Sequence, residues 1–423
     1  LIIQVVLGVC WLPVAGQAEQ GNPIVAALEA AAQALDRGEA RRALDALEPV
    51  KAEEPDNPWY LFYAGRAQHM LNDPHAAIGY YDRALERLEA YAESDSSLAN
   101  AIGIARREAR REIFTFYLQS GLAYDSNVTF GGAGATATFI SGREDGKFAT
   151  RIAWDYAPVI RPDRSLTLSG RVASAWHFAV EEFNYQDYGT TVRYSQRLSD
   201  HWRFDLLYDY DFFALGNDSF LSTHGLSPRL SYLWTLQDRA FEPTETLFDY
   251  RLEAVDYLFD TEPVLDRDGF TNTVGLAQAF LLRPRRESAW ACDLFVGYRF
   301  GSFATEGSEF DRWASNIFVG AAFPLKSLLR DRDLTFQFNA DWEISDYWHS
   351  SVYDEDGDER DDLITTLGAI LSQELIDDPR DGQLILHAIV GWSDADSNVH
   401  TEDGADPFTY DKLIAGFQLE WRF

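Results

Sequence analysis

From Glu112 to the end of the chain, apolar and polar residues alternate with a period of two; before Glu112 they follow a helical period instead. A β-strand turns successive side chains to opposite faces, so each alternating stretch predicts a strand with one apolar side. The last stretch shows this most plainly. Leu413, Ala415, Phe417, Leu419, Trp421 and Phe423 take one side, and Lys412, Ile414, Gly416, Gln418, Glu420 and Arg422 the other. Phe114, Phe116, Leu118, Leu122 and Tyr124 oppose Thr115, Gln119, Gly121 and Asp125. Trp202, Phe204, Leu206, Tyr208, Tyr210 and Phe212 oppose Arg203, Asp205, Asp209 and Asp211 in the same way. About 14 such segments follow one another, an even number as closed bacterial barrels have. They run from 112–126 through 268–282 to 409–423.

The polar side decides what kind of sheet this is. It carries Arg151, Asp155, Arg171, Arg193, Arg203, Asp205, Asp209, Arg229, Asp249, Arg251, Glu253, Asp341, Glu343 and Glu420. Packed inside a sandwich, each unpaired charge among them costs several kcal/mol. Lining a wet lumen, they stay hydrated. Hydrocarbon on the apolar side offers no partner to open backbone groups, so the strands must close on themselves. The predicted fold is α+β and multidomain: a small N-terminal α-helical domain, then a transmembrane antiparallel β-barrel of about 14 strands. Short turns such as 161–164 and 199–200 alternate with longer acidic or Gly-rich connections such as 126–145 and 349–361. Short turns are predicted in the periplasm and long loops outside. Pro228, on the apolar side of its segment, has no N–H to donate and predicts a bulge.

Residues 22–111 are rich in Ala, Leu, Glu and Arg. Ala43, Leu47 and Pro55 recur as Ala77, Tyr81 and Glu89, an offset of 34 residues, which is the tetratricopeptide period. Gly65 stands where such a repeat needs two helices to approach closely. Asn57 and Pro58 read as the N-cap and first helical position of a helix. Such repeats form a concave groove for a peptide or protein partner.

Composition removes several classes of function. There are 68 Asp and Glu against 36 Lys and Arg, a net charge of −32, which excludes a nucleic-acid partner. The count of 12 Trp, 20 Tyr and 28 Phe is high for so acidic a chain and fits two interfacial girdles. Residues 1–18 read as a secretory signal peptide whose record begins inside its apolar region. Cys292, on an apolar side with Leu294 and Val296, is predicted to be an inert lipid-facing thiol. The acidic run 353–362 misses the calcium-loop spacing, because Thr365 stands where a bidentate Glu is required. The histidines show no ligand spacing and no G-x-S-x-G occurs. The expectation is therefore no enzyme, no catalytic, cofactor or metal site, and no cofactor.

Two stretches carry a resemblance. Gly416, Leu419, Trp421 and the final Phe423 resemble the terminal-strand signal read by the barrel-assembly machinery of Gram-negative outer membranes. The run 121–128, G-L-A-Y-D-S-N-V, is similar to the G-x-x-Y-D-x-N-V opening of the barrel in surface lipoprotein assembly modifiers (Slam). With a signal peptide, a short tetratricopeptide-like domain and a barrel over 112–423, the whole layout resembles that family. The resemblance implies an outer-membrane protein with its N-terminal domain in the periplasm. It implies a lipoprotein client, with outer-membrane lipid and lipopolysaccharide around the barrel. The expected function is translocation or display of surface lipoproteins. The alternative is a tetratricopeptide–barrel porin that exports exopolysaccharide, or a general diffusion pore. A lateral exit requires a weakened seam between the first and last strands, and Gly121 and Gly416 are the candidates, since Gly weakens strands.

Overall fold

Two kinds of periodicity give two units in the computed structural model, 1–109 and 110–423. The structure describes residues 22–90, 96–130, 139–140, 143–216, 218–235, 240–258, 263–283, 291–325, 329, 332–351, 359–378, 382–399 and 408–423. The signal-peptide expectation over 1–18 lies outside these residues.

The first unit is built from α1 (Pro23–Asp36), α2 (Ala40–Glu53), α3 (Pro58–Met70), α4 (Pro74–Ala90) and α5 (Ser96–Ile113). Side-chain caps start three of them. Asn22 Oδ1 accepts from the Ile24 amide, Asn57 Oδ1 from the Trp59 and Tyr60 amides, and Asp73 Oδ1 from the Ala76 amide. Each of these caps precedes a proline at the first helical position, whose missing N–H costs nothing there. Of the three pairs related by the 34-residue offset, Ala43 with Ala77 and Leu47 with Tyr81 are buried in the helical core, whereas Pro55 and Glu89 are exposed. Gly65 of α3 faces the Tyr81 ring of α4 so closely that a Cβ would lie 2.5 Å from Cε1.

The second unit begins with β1 (Phe114–Asp125) and a small separate hairpin, β2 (Thr129–Phe130) with β3 (Phe139–Ile140). It continues through β4 (Asp145–Ile160), β5 (Arg164–His177), β6 (Tyr185–Arg197), β7 (Trp202–Leu215), β8 (Asp218–Leu233) and β9 (Phe241–Tyr257). It ends with β10 (Gly269–Leu282), β11 (Cys292–Thr305), β12 (Arg312–Leu325), β13 (Leu334–Ser350), β14 (Glu359–Asp378), β15 (Gly382–Ser397) and β16 (Tyr410–Arg422). Apart from the hairpin, the strands form one closed 14-strand antiparallel barrel in which β1 pairs with β16. Every predicted segment is a strand. The hairpin falls in the Gly-rich connection that composition alone marks as a loop.

Alternation sets the two surfaces. Leu122, Phe270, Val274 and Phe417 point outward and are each more than half exposed, and many other aromatic and aliphatic side chains share that surface. A monomer in water rarely shows so wide an apolar surface; hydrocarbon is its natural solvent. No helix among the described residues is long and apolar enough to cross a membrane.

Three details depart from the sequence expectations. Pro228 makes no bulge: Leu226 pairs with Leu252 and Arg229 with Asp249, so the β8–β9 register is the same on both sides of it. The chain tolerates the missing N–H by omitting ladder contacts there, and the register shift of β8 falls opposite Phe213 and Ala214 instead. Loop lengths do not alternate cleanly either, because β7 ends at Leu215 and β8 resumes at Asp218, with Gly216 at φ +65 turning the chain. Cys292 has the outward parity of its strand but is buried, not lipid-facing.

Val274, near the middle of β10, tests the solvent of the outer surface. Val274→Arg is expected to cost about 2–4 kcal/mol if that surface meets hydrocarbon at midplane depth. Refolding into lipid vesicles, read as the heat-modifiable shift on a gel, measures it. A neutral substitution would contradict the membrane-spanning reading.

Candidate functional site

The inner wall is organised around β7. Arg171 on β5 donates from Nε to Asp187 on β6 at 2.8 Å and from Nη2 to Asp211 on β7 at 2.7 Å. Arg251 on β9 reaches β7 from the other side, its Nη2 2.8 Å from Asp209, and its Nε donates to Glu253 at 3.0 Å. Arg203 on β7 donates to Asp205 at 3.0 Å and to Glu245 on β9 at 2.7 Å. Each long bridge crosses an intervening strand. It does so over a glycine or serine: Arg171 lies against Gly189 of β6, the Asp209–Arg251 pair against Gly225 of β8, and Arg203 passes Ser231 Oγ at 3.4 Å. Asp249 lies likewise over Gly275 of β10. A side chain at those glycines would lift the bridges off the wall. Hydrogen bonds between charged groups are worth about 1.5–3 kcal/mol where water is partly excluded, so these braces tie β5 through β9 together.

The remaining inward residues named from the sequence fall into distinct settings. Asp155 accepts from Tyr117 Oη at 3.1 Å and Ser169 Oγ at 2.6 Å. Glu420 is bridged by Arg422 and lies 3.6 Å from His387 Nε2. Asp341 accepts from Asn316 at 2.7 Å, and Glu343 lies 3.5 Å from Arg312. Arg151, Arg193 and Arg229 join no ion pair among the described residues. Around Arg151 and Arg193 the lumen holds a cavity of about 540 Å3, also lined by Asp155, Arg171, Glu420 and Arg422. It lies toward the end where β1 begins and β16 finishes.

The opposite mouth is filled along the arc from β11 to β14. Arg360 is wholly buried. Its guanidinium lies 3.3 Å from the Phe408 ring centroid and 4.3 Å from that of Tyr347, and Nη2 donates to Asp362 at 2.6 Å. Tyr347 Oη donates to the same carboxylate at 3.1 Å and accepts from Arg312 Nη1 at 2.8 Å. Arg312 in turn stacks 4.4 Å over Phe303. In the loop before β10, Arg267 lies 3.8 Å over Phe310; burial lowers its proton affinity, which nearby Tyr257 partly restores. Sequence reasoning missed this cluster. Residues 352–358 of the acidic run lie outside the described residues, but Arg360 and Asp362 belong to β14 and are buried. Among the described residues no group of acids, histidines and cysteines could hold a metal ion.

The seam is closed and continuous, with residues 117–125 of β1 paired to 422–414 of β16. Gly121 and Gly416 both lie in it. A Cβ at Gly121 would collide with the Phe417 carbonyl and one at Gly416 with the Leu122 carbonyl, so both glycines admit a close approach. Gln119 Nε2 donates to Gln418 Oε1 across the seam at 2.7 Å. At its upper end Asp125, 1% exposed, holds Lys147 of β4 at 3.1 Å and Lys412 of β16 at 3.2 Å. Ser126 Oγ accepts from the Leu413 amide at 2.7 Å, and Asn127 Nδ2 donates to the Asp411 carbonyl at 3.2 Å. At the lower end, Phe423 exchanges backbone hydrogen bonds with Phe116. Leu419, Trp421 and Phe423 face outward and are exposed, with the Trp421 and Phe423 rings stacked at 4.6 Å.

No protein-family model and no curated protein matches this sequence. Solved structures give distant likenesses. The outer membrane channel DcaP of Acinetobacter baumannii is 12% identical with a TM-score of 0.38, over 73% of this chain and 96% of that one. The outer membrane protein OprD from Pseudomonas aeruginosa is 10% identical with a TM-score of 0.36, over 73% and 94%. CdiB from Acinetobacter baumannii is 10% identical with a TM-score of 0.36 over 73% of this chain, which spans 60% of CdiB. Likeness at this level transfers none of their roles.

The braces are testable as couplings. In a double-mutant cycle, Arg251→Met and Asp209→Ala should show an interaction of about 1–2 kcal/mol in denaturant unfolding from vesicles. Gly225→Ala should weaken the same bridge. Additive effects would mean the pair contributes nothing as a brace.

Proposed function

We propose that the protein is an outer-membrane transporter that brings lipoproteins to the cell surface. In this reading the helical unit engages the client in the periplasm and the barrel provides the path. The observation that carries it is the clasp at the seam. Gly121, Asp125, Ser126 and Asn127, residues of the stretch that resembles the Slam barrel opening, are among those that meet β16. That stretch is therefore the closing edge of the barrel, where a side exit would open.

A lipid-bearing client needs such an exit. Each acyl CH2 left in hydrocarbon is worth about 0.8 kcal/mol, so a two- or three-chain anchor does not pass through a wet lumen. The protein part finds a hydrated, charged wall, while the anchor stays in the bilayer beside the seam. Parting a few polar contacts and ladder bonds costs about 1 kcal/mol net for each. The alternative of an exopolysaccharide exporter draws its support from the braced polar wall. In the membrane the outer face meets lipid and lipopolysaccharide, and the exposed Leu419, Trp421 and Phe423 with Gly416 serve as the assembly signal.

Ser120 and Leu419 are register partners across the seam. In a Cys292→Ser background, Ser120→Cys with Leu419→Cys should form a disulfide that blocks surface display of a co-expressed lipoprotein and leaves the barrel folded. Reductant should restore display. Undiminished display with the cross-link complete would overturn the lateral route.

A further inference from the structure

The cavity inside the barrel has a charge balance opposite to that of the chain. Its lining holds Arg151, Arg171, Arg193 and Arg422 against Glu112, Asp155 and Glu420, and Asp155 is engaged by Tyr117 and Ser169, and Glu420 by Arg422. Two of its arginines are engaged as well, Arg171 by Asp187 and Asp211, and Arg422 by Glu420. Arg151 and Arg193 are left, both lining the cavity and neither with a hydrogen bond or ion pair among the described residues. Arg229 extends the series. Its Nε is buried with no hydrogen-bond partner, and Arg193 and Arg299 are its cationic neighbours. Arg299 differs, since its guanidinium stacks on Phe318 at 4.6 Å.

The three unengaged arginines sit on the inner faces of β4, β6 and β8. Register explains why they stay unengaged. Arg151 is flanked by Gln119 and Ala173, and Arg193 by Thr167 and Leu207; Arg229 lies between Asp205, already bound by Ser195 and Arg203, and Asp249, whose charge acts on it without a hydrogen bond. Arg151 and Arg193 are exposed to the lumen, and their like charges repel. A chain with a net charge of −32 has carboxylates to spare, yet places none where they would neutralise Arg151 or Arg193. A guanidinium offers a planar fork that matches phosphate oxygens two at a time.

We propose that Arg151, Arg193 and Arg229 form a binding track for a phosphate-bearing anion in the lumen. The anion is either a soluble phosphate ester or the headgroup of an anionic lipid. The track is independent of the lipoprotein reading, and it makes the lumen locally anion-selective within an acidic protein.

The test is calorimetric titration of the full-length protein in non-ionic detergent with inorganic pyrophosphate, and separately with dihexanoyl phosphatidic acid. Pyrophosphate should bind, more weakly as salt rises, and Arg151→Gln with Arg193→Gln should weaken it at least tenfold. Arg251→Gln, which removes a lumenal arginine engaged by Asp209 and Glu253 away from the cavity, should change it less than twofold. Heat-modifiable gel mobility establishes that each variant is folded. Tighter binding of the lipid probe, lost in the same double variant, assigns the site to a headgroup; binding of pyrophosphate alone assigns it to a soluble ester. Absence of pyrophosphate and lipid binding by the native protein, or equal affinity in the folded double variant, would overturn the proposal.

Discussion

Backbone pairing in hydrocarbon is the constraint on which everything else rests. A peptide group facing lipid has no water to bond, so each strand must find two neighbours and the sheet cannot end. Closure makes an inside, and period-two alternation then sorts the residues of the barrel strands between lipid and lumen. The charges on the inner side are thus tolerated by geometry, not by a packed core. The same closure creates one joint unlike the others, where residues nearly three hundred positions apart in the chain must meet.

What the sequence made legible follows from that sorting. Strand existence was readable because lipid-facing side chains leave a repeated aromatic trace, as in Trp202 to Phe212. Helix starts at Asn57 and Pro58 were readable because capping is local chemistry. Register was not readable, since it depends on how each strand slides against the next. Without it Arg171 has no assigned partner. Only the structure takes it past Gly189 to Asp211.

The misreadings have the same origin. At Gly121 and Gly416 propensity speaks only to strand strength, and the close approach of β1 to β16 that leaves no room for a Cβ there is a tertiary fact. Pro228 was given a bulge from its missing N–H, and the ladder absorbs it without a shift. Arg360 stands in a run of acids that reads as solvated loop. Burial between Tyr347 and Phe408 is a tertiary fact, invisible to local composition. The clasp around Asp125 had one usable signal. An aspartate at an inward position that is to be buried needs cations, and Lys147 and Lys412 also have inward parity, but their equal height is a matter of register.

The braces distribute stiffness unevenly around the circumference. Five adjacent strands, β5 to β9, are cross-tied over Gly189 and Gly225, so that arc should deform as a single curved plate. The joint between β1 and β16 is held laterally by its ladder, one amide pair and a clasp at one end. Thermal breathing of the cross-section, from circular toward elliptical, will therefore concentrate its strain outside the plate, in the arc that runs from β4 through this joint.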